Sequence, residues 1–173
     1  MQNQSLISLA PVAASDAKIL ILGSMPGEKS LAQQQYYAHP RNAFWKIIAT
    51  LFDFNPNLCY AEKLLALQQH RLALWDVIES CERKGSLDSQ INNASIISNN
   101  FAYFFSQHPQ IKHIFCNGSC AYQEYQKRVI PHLVKSLQSL PCTRLPSTSP
   151  AMASLSFEQK LLAWTAIKDA LKD

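Results

Sequence analysis

Two short clusters in the chain combine residue types that suit the binding of a flat, polar ring. One is a turn that follows an apolar run and consists of Gly23, Ser24, Met25, Pro26 and Gly27. A sharp turn of this kind can offer backbone N–H groups to an acceptor atom. It lacks the spacing of a mononucleotide or dinucleotide phosphate loop. The turn therefore predicts either one wall of a base-binding site or an ordinary connection between a strand and a loop.

The second cluster stands directly before a strongly apolar helical pattern and contains Tyr37, His39, Arg41 and Asn42. Aromatic rings stack on bases, and an amide supplies both a donor and an acceptor. His39 can bond a phosphate or a base near neutral pH, or it can brace its own loop. A structural interpretation stays open as well, in which Asn42 only caps the helix and the tyrosines fill the core.

Two later segments carry further polar groups at the ends of apolar runs. Asn117 can bond the edge of a base bidentately, or it can cap the following helix. The loop from 146 to 150 combines two prolines with three hydroxyls, in the order Pro146, Ser147, Thr148, Ser149 and Pro150. Such a stiff loop can donate hydrogen bonds to phosphate oxygens, although a polar surface turn would look the same.

The elements that must position these groups alternate between strand and helix patterns. Strands are predicted at 18–22, 72–78, 111–116 and 142–145, and helices at 43–52, 61–70, 101–107, 119–129 and 156–171. We expect an irregular lead-in at 1–17 and loops at 28–35 and 81–98. The alternation predicts an α/β, three-layer sandwich in which a central, mostly parallel β-sheet is flanked by helices. The turns after Leu22, Cys116 and Leu145 should then meet at one edge of the sheet, close to Trp75 and Asp76.

Bulk composition restricts the class of protein. A chain of 173 residues, 47% hydrophobic and 16% charged, predicts one ordered domain over 1–173. No signal peptide or membrane span is evident, so we expect a cytoplasmic location. We also expect a monomer. The five cysteines are scattered and predict buried free thiols, with no metal site and no cofactor. Between Glu124 and Glu158 no acid occurs, while Lys127, Arg128, Lys135 and Arg144 do, which suits either phosphate contacts or a solvated face.

Four segments together resemble the uracil-DNA glycosylase superfamily, and specifically its deoxyinosine (hypoxanthine) DNA glycosylase branch. They are Gly23 to Gly27 with Tyr36 to Trp45, Leu74 to Val77, Phe115 to Gly118, and Leu145 to Ala151. The first segment is also similar to the mismatch-specific uracil/thymine glycosylases. The resemblance implies a uracil-DNA glycosylase-like fold and a monofunctional enzyme that flips a deaminated base out of DNA and removes it. Uracil or mismatched thymine is the alternative substrate, and a non-catalytic module that binds damaged DNA is the alternative from another class.

The same resemblance implies a role for each cluster. Many members carry an Asp or Asn that activates water where this chain has Met25, and Asn42 matches the asparagine that the deoxyinosine branch uses instead. The base would lie against Tyr37, with His39, Asn117 and the turn from Gly23 to Gly27 around it. Arg41, Arg144 and the hydroxyls of Ser147, Thr148 and Ser149, next to Pro150, would grip the phosphate backbone. Ala151 and Met152 would fill the space that the flipped base leaves.

Overall fold

The computed structural model describes residues 4–173, which form two sheets and a set of helices. The strands are β1 Ser5–Ile7, β2 Ile19–Gly23, β3 Leu72–Asp76, β4 Ile78–Glu82, β5 Ile97–Ser98, β6 His113–Asn117 and β7 Cys142–Leu145. The α-helices are α1 Glu28–Gln33, α2 Phe44–Phe52, α3 Tyr60–Gln69, α4 Phe101–Gln107, α5 Ser119–Glu124, α6 Lys135–Gln138, α7 Phe157–Trp164 and α8 Ala166–Lys172. A π-helical turn, Tyr125–Val129, extends α5, and short 3-10 turns lie at Asp88–Gln90, Asn93–Ser95 and Ile130–His132.

The central sheet has four parallel strands in the order β3-β2-β6-β7. Its two inner strands are apolar at nearly every position because helices cover both of its faces. Ile19 and Ile21 face a core shared with α2, α7 and α8, whereas Leu20 and Leu22 face a core shared with α4 and α5. The predicted three-layer α/β sandwich is confirmed.

A second, antiparallel sheet, in the order β1-β4-β5, corrects two expectations about the chain. The lead-in is not wholly irregular, because Ser5 to Ile7 pair with Ser80 to Glu82. Residues 81–98 likewise contain strand and 3-10 turns rather than only loop. Both segments lack a periodic apolar pattern, and their pairing depends on contacts that are distant in sequence. Residues 1–3 of the lead-in lie outside the described part of the chain.

The helices follow the predicted positions with two additions, α1 and the short α6, and one interruption. The segment expected to be a loop at 28–35 contains α1, which ends at Gln34 with a φ of 55°. The C-terminal helix begins at the expected capping box of Ser156 and Gln159 but is divided at Thr165 into α7 and α8. All five cysteines are free, but only Cys81 and Cys116 are buried as expected, whereas Cys120 and Cys142 are half-buried and Cys59 is exposed. Between residues 4 and 173 no helix is both long and apolar enough to cross a membrane.

Candidate active site

A cavity of about 860 Å³ opens at the carboxyl ends of the central strands. Gly23, Asp76, Asn117 and Ser147, which end or follow β2, β3, β6 and β7, all line it. The predicted meeting of the turns at one sheet edge is therefore confirmed. Its volume is in the range of small-molecule pockets. The other predicted site residues that line it are Ser24, Met25, Pro26, Gly27, Tyr37, His39, Arg41, Asn42, Thr148, Ser149, Pro150, Ala151 and Met152.

Gly23 allows two polar side chains to approach the end of β2. A Cβ atom at this position would lie 2.4 Å from Oδ1 of Asp76 and 3.0 Å from the Tyr37 hydroxyl. The first distance is shorter than real Cβ contacts, so any larger residue would displace the carboxyl group. The glycine is thus required by close packing at the floor of the cavity.

Met25, at the position where many superfamily members activate water, has its side chain in an apolar cluster. The residue is only 6% exposed and packs with Ile78, Cys81, Ile91 and Ile96 beneath the second sheet. A thioether in that environment cannot take up a proton or orient water. A water-activating group must therefore come from another segment of the cavity wall.

Tyr37 packs against the core shared with α2, α7 and α8 and adopts a left-handed backbone conformation, with a φ of 54°. Its ring stacks on Phe44, with the centroids 4.1 Å apart. The neighbouring backbone is fixed because the Trp45 indole N–H donates to the Tyr36 carbonyl at 2.8 Å. Burial raises the pKa of the Tyr37 hydroxyl far above its ordinary value, and Asp76 adds to the rise. The ring is thus a rigid, neutral surface in the cavity wall.

The side-chain amide of Asn42 has one atom in a hydrogen bond and one atom without a partner among residues 4–173. Its Oδ1 accepts a hydrogen bond from the Phe44 backbone N–H at 3.0 Å. The alternative in which Asn42 is the N-cap residue is wrong, because Ala43 is the N-cap residue of α2. Because the oxygen is held by the backbone, the orientation of the side chain is fixed, and Nδ2 is the atom that remains to donate.

His39 braces the loop that carries Asn42. Its Nδ1 accepts from the Arg41 backbone N–H at 3.1 Å, and its carbonyl accepts from the Asn42 N–H at 2.9 Å. The bracing alternative predicted for His39 is therefore confirmed. An imidazole that accepts at Nδ1 carries its proton on Nε2 when it is neutral.

Asn117 bonds Thr148 with both ends of its amide. Its Oδ1 accepts from the Thr148 N–H at 2.9 Å, and its Nδ2 donates to the Thr148 hydroxyl at 2.9 Å. The capping interpretation of Asn117 is wrong, because Gly118, with a φ of 95°, is the N-cap residue of α5. A direct contact between Asn117 and a base would require these two hydrogen bonds to open.

The loop after β7 is held in place from several sides. Thr148 is only 1% exposed, which is not the exposed position that a phosphate contact requires, and its carbonyl accepts from the Ala43 N–H at 3.0 Å. Helix α7 supports the loop through two donors, the Trp164 indole to the Pro146 carbonyl at 2.9 Å and the Lys160 ammonium to the Ser149 carbonyl at 3.3 Å. Ser147 and Ser149, in contrast, are only partly buried and line the cavity.

The basic residues of the sequence do not all gather at the cavity. Arg41 is exposed and lines it, whereas Arg144 is exposed on the edge strand β7 and does not. Arg128 forms an ion pair with Glu124 and also donates to the Asn93 carbonyl at 3.1 Å. Of these three arginines, only Arg41 is part of the cavity wall.

One segment of the wall was not expected from the sequence: Ser86 to Ser89 line the cavity, and the preceding Arg83 supports the same turn. The Ser24 hydroxyl donates to Asp88 at 2.7 Å, the Glu28 N–H donates to the Ser86 hydroxyl at 2.9 Å, and the Arg83 guanidinium donates to the Pro26 carbonyl at 2.7 Å. These bonds fix the turn from Gly23 to Gly27 against the second sheet. The only sequence signal was a polar, turn-rich composition, which does not reveal such a partner.

Asp76 is the most perturbed acid of the cavity. It is 3% exposed, and burial raises the pKa of its carboxyl group to about 7, with a further contribution from Asp88 and an opposing one from Arg83. Asp88 is an exposed residue, but partial desolvation of its carboxyl group raises the pKa, and its hydrogen bond from Ser24 opposes the rise. Within the described residues, no group of three or more His, Cys, Asp or Glu side chains could hold a metal ion.

Comparisons with known proteins agree with this geometry. The family model of the Uracil DNA glycosylase superfamily matches residues 10–169. A hypoxanthine DNA glycosylase from Methanosarcina barkeri (strain Fusaro / DSM 804) is 35% identical over 109 residues, which are 62% of this chain and 68% of that protein. A protein of the same name from Methanosarcina acetivorans is 37% identical over 108 residues, 62% of this chain and 67% of its own length.

The fold itself is also shared with a solved structure. The solution NMR structure of a candidate uracil DNA glycosylase from Methanosarcina acetivorans superimposes with a TM-score of 0.80 at 30% sequence identity. The match covers 98% of this chain and all of that one. One assignment follows from the turns that form the cavity, the matching family model and the shared fold. The chain belongs to the uracil DNA glycosylase superfamily.

Proposed function

We propose that this protein is a monofunctional DNA glycosylase that removes hypoxanthine from deoxyinosine in DNA. One observation carries the proposal: the cavity places the fixed amide of Asn42 and the rigid ring of Tyr37 beside the turn from Gly23 to Gly27. The names of the two Methanosarcina relatives support the choice of base. The proposal includes a single glycosylase domain over 1–173, a monomeric state and a cytoplasmic location.

Excision requires the target nucleotide to leave the duplex, because the bond to be broken is inaccessible in the stack. In the proposed complex the extruded base lies against Tyr37, and Ser147, Ser149 and Arg41 contact the flanking phosphates. The exposed segment at Pro150 and Ala151, followed by the half-buried Met152, lies at the rim of the cavity, where it could occupy the gap in the duplex. We assign Thr148 and Asn117 a supporting role, because they hold this loop against β6.

Breaking the glycosidic bond makes the sugar cation-like and leaves negative charge on the base. A donor aimed at the base or at a water stabilises that change without having to reorganise. The Nδ2 group of Asn42 is such a donor, since its oxygen partner is fixed by the Phe44 N–H. An amide is too weak a base to remove a proton, so its proposed role is orientation.

The test is an excision assay on matched duplexes that carry deoxyinosine, uracil or a G·T pair. We expect cleavage of the deoxyinosine substrate, and a rate about 100-fold lower for Asn42→Ala, as for the loss of one oriented donor. Asn57→Ala, an exposed asparagine outside the cavity, is the matched control and should keep the wild-type rate. Full activity of Asn42→Ala would refute the role of Asn42 even if the substrate is correct.

A non-catalytic module that binds damaged DNA is the second candidate, and the burial of Met25 in an apolar cluster favours it. Such a module would bind deoxyinosine duplexes without releasing hypoxanthine from any of them. The same assay, run together with a binding measurement, decides between the two. Monofunctional chemistry also predicts that borohydride traps no enzyme–DNA adduct.

A further inference from the structure

Two buried polar atoms that have no hydrogen-bond partner among residues 4–173 lie together in the cavity wall. They are Oδ2 of Asp76 and the hydroxyl of Tyr37, and both residues line the cavity. The two side chains converge at Gly23. A Cβ atom on that residue would lie 2.4 Å from Oδ1 of Asp76 and 3.0 Å from the Tyr37 hydroxyl. Buried polar groups are nearly always paired, so an orphaned pair in a cavity wall points to a ligand that completes it.

Asp76 and the nearby Asp88 have contrasting environments. Asp88 accepts a hydrogen bond from the Ser24 hydroxyl at 2.7 Å, which stabilises its ionised form. Asp76 has no donor to Oδ2 within the described residues. The charged and titratable groups around it are the carboxyl group of Asp88, the phenols of Tyr36 and Tyr37, and the guanidinium of Arg83, which opposes the effect of Asp88. Acid and base roles are commonly divided between such a pair, and the unpaired, more buried carboxyl group is the one that keeps its proton.

A protonated carboxyl group suits the departing base, whereas an ionised one opposes it. Negative charge develops on the base as the glycosidic bond breaks, and a carboxylate in the wall would repel that charge. A carboxylic acid instead donates to a lone pair. A purine attached to its sugar has lone pairs on the ring nitrogens N3 and N7, but uracil has none on its ring nitrogens. An acid in this position therefore accelerates purine loss selectively.

We propose that Asp76 is the general acid of this site and that its proton makes the enzyme a purine glycosylase. The inference rests on the proposed function. As the C1′–N9 bond breaks, its electron pair stays on the purine, and the Asp76 proton passes to N3 or N7, so the base leaves neutral. Water forms the new C1′–O bond and gives its proton to solvent, and Asp76 regains a proton from solvent after release.

The test is the pH dependence of the single-turnover rate on deoxyinosine DNA. For the wild type we expect a constant rate at low pH and a tenfold fall per pH unit above about 7. Asp76→Asn should be about 100-fold slower at pH 6, should lack that fall, and should bind the DNA as tightly as the wild type. Asp88→Asn removes the neighbouring like charge and should move the midpoint to lower pH.

Modified substrates provide a second test of the proton transfer. Deoxyinosine analogues in which N3 or N7 is replaced by carbon cannot accept the proton at that atom. With one of the two analogues, the wild type and Asp76→Asn should react at the same rate. If Asp76→Asn lowers the rate equally on both analogues and on deoxyinosine, the proton transfer does not occur.

Controls separate the possible outcomes. His39 also lines the cavity, and histidine is the commonest general acid or base, so His39→Gln must retain the fall in rate if Asp76 is its cause. Asp53→Asn, at an exposed position with a φ of 56° that asparagine tolerates, should match the wild type. The inference is overturned if Asp76→Asn reacts within threefold of the wild type at pH 6, if it keeps the fall, or if Asp88→Asn leaves the midpoint unchanged. A wild type that releases no hypoxanthine at any pH would instead refute the proposed function, and the inference with it.

Discussion

At the scale of single residues, the burial of Asp76 at the cavity floor makes the free energy of unfolding depend on pH, and a stability measurement can detect this dependence. Burial raises the pKa of Asp76 from 3.8 to about 7, so between these values the folded state binds more protons than the unfolded state. The free energy of unfolding must then fall as the pH rises through that window, by on the order of 4 kcal/mol. Above about pH 8 this contribution is constant.

Chemical denaturation of the wild type and of Asp76→Asn across pH 4 to 9 measures this cost, since an amide does not titrate. We expect the difference in unfolding free energy between the two proteins to grow in favour of the variant as the pH rises from about 4 to 7. A difference that is independent of pH would show that Asp76 ionises at its ordinary pKa. Asp53→Asn serves as the exposed reference, because its difference from the wild type should stay close to zero.

At the scale of elements, the loop after β7 depends on a glycine at the start of α5. Gly118 has a φ of 95°, and a Cβ atom there would lie 3.1 Å from the Cβ of Ser147. We expect Gly118→Ala to lower the unfolding free energy by about 1–3 kcal/mol and to slow excision, because it strains the backbone and also moves the loop.

Gly85→Ala is the matched control for this change. Gly85 also has a positive φ, 67°, but a Cβ atom there would contact nothing within 4 Å. The Gly85→Ala substitution should therefore strain the backbone without displacing a neighbour, and it should leave the excision of deoxyinosine unchanged. Equal effects of the two substitutions on the rate would show that contact with Ser147 is unimportant for the loop.

The elements also show what the sequence could and could not predict. Buried parallel strands such as Ile19–Gly23 read as apolar runs, and the capping box of Ser156 and Gln159 is local, so these were correctly predicted. Helix α1 lacks an apolar period, and β1 pairs with a segment more than 70 residues away, so local patterns missed both. The bond from Ser24 to Asp88 spans 64 positions, and for the same reason it left no local signal.

The same distinction between local patterns and long-range contacts applies to the site residues. Tyr37, Asn42 and the turn at Gly23 stand in compact clusters whose residue types indicate their chemistry, and all of them line the cavity. The position of Arg144 outside the cavity depends on which strand forms the edge of the sheet, and the sequence alone does not give that order. The burial of Thr148 likewise depends on a partner, Asn117, that is 31 positions away.

At the scale of the whole molecule, the net charge of +4 favours DNA, and Arg41 is the exposed arginine at the cavity. We expect Arg41→Ala to weaken binding to duplex DNA about uniformly across sequences and to reduce the slope of log K against log salt by about 1. Fluorescence anisotropy at several salt concentrations measures both quantities. Lys172→Ala, which removes an exposed cation paired with Asp169 in the last helix, is the control and should leave the slope unchanged.

The parallel sheet has only four strands, and each of them ends in, or leads directly into, a wall of the cavity. A shift of any one of these strands therefore changes the shape of the cavity. A core substitution under any of them, such as a smaller residue at Ile21 or Phe115, would tilt one wall relative to the others while the chain remains folded. Such a variant should then lose activity at a temperature well below its unfolding temperature. The highest temperature at which it is active is therefore set by the alignment of its strands and not by its unfolding.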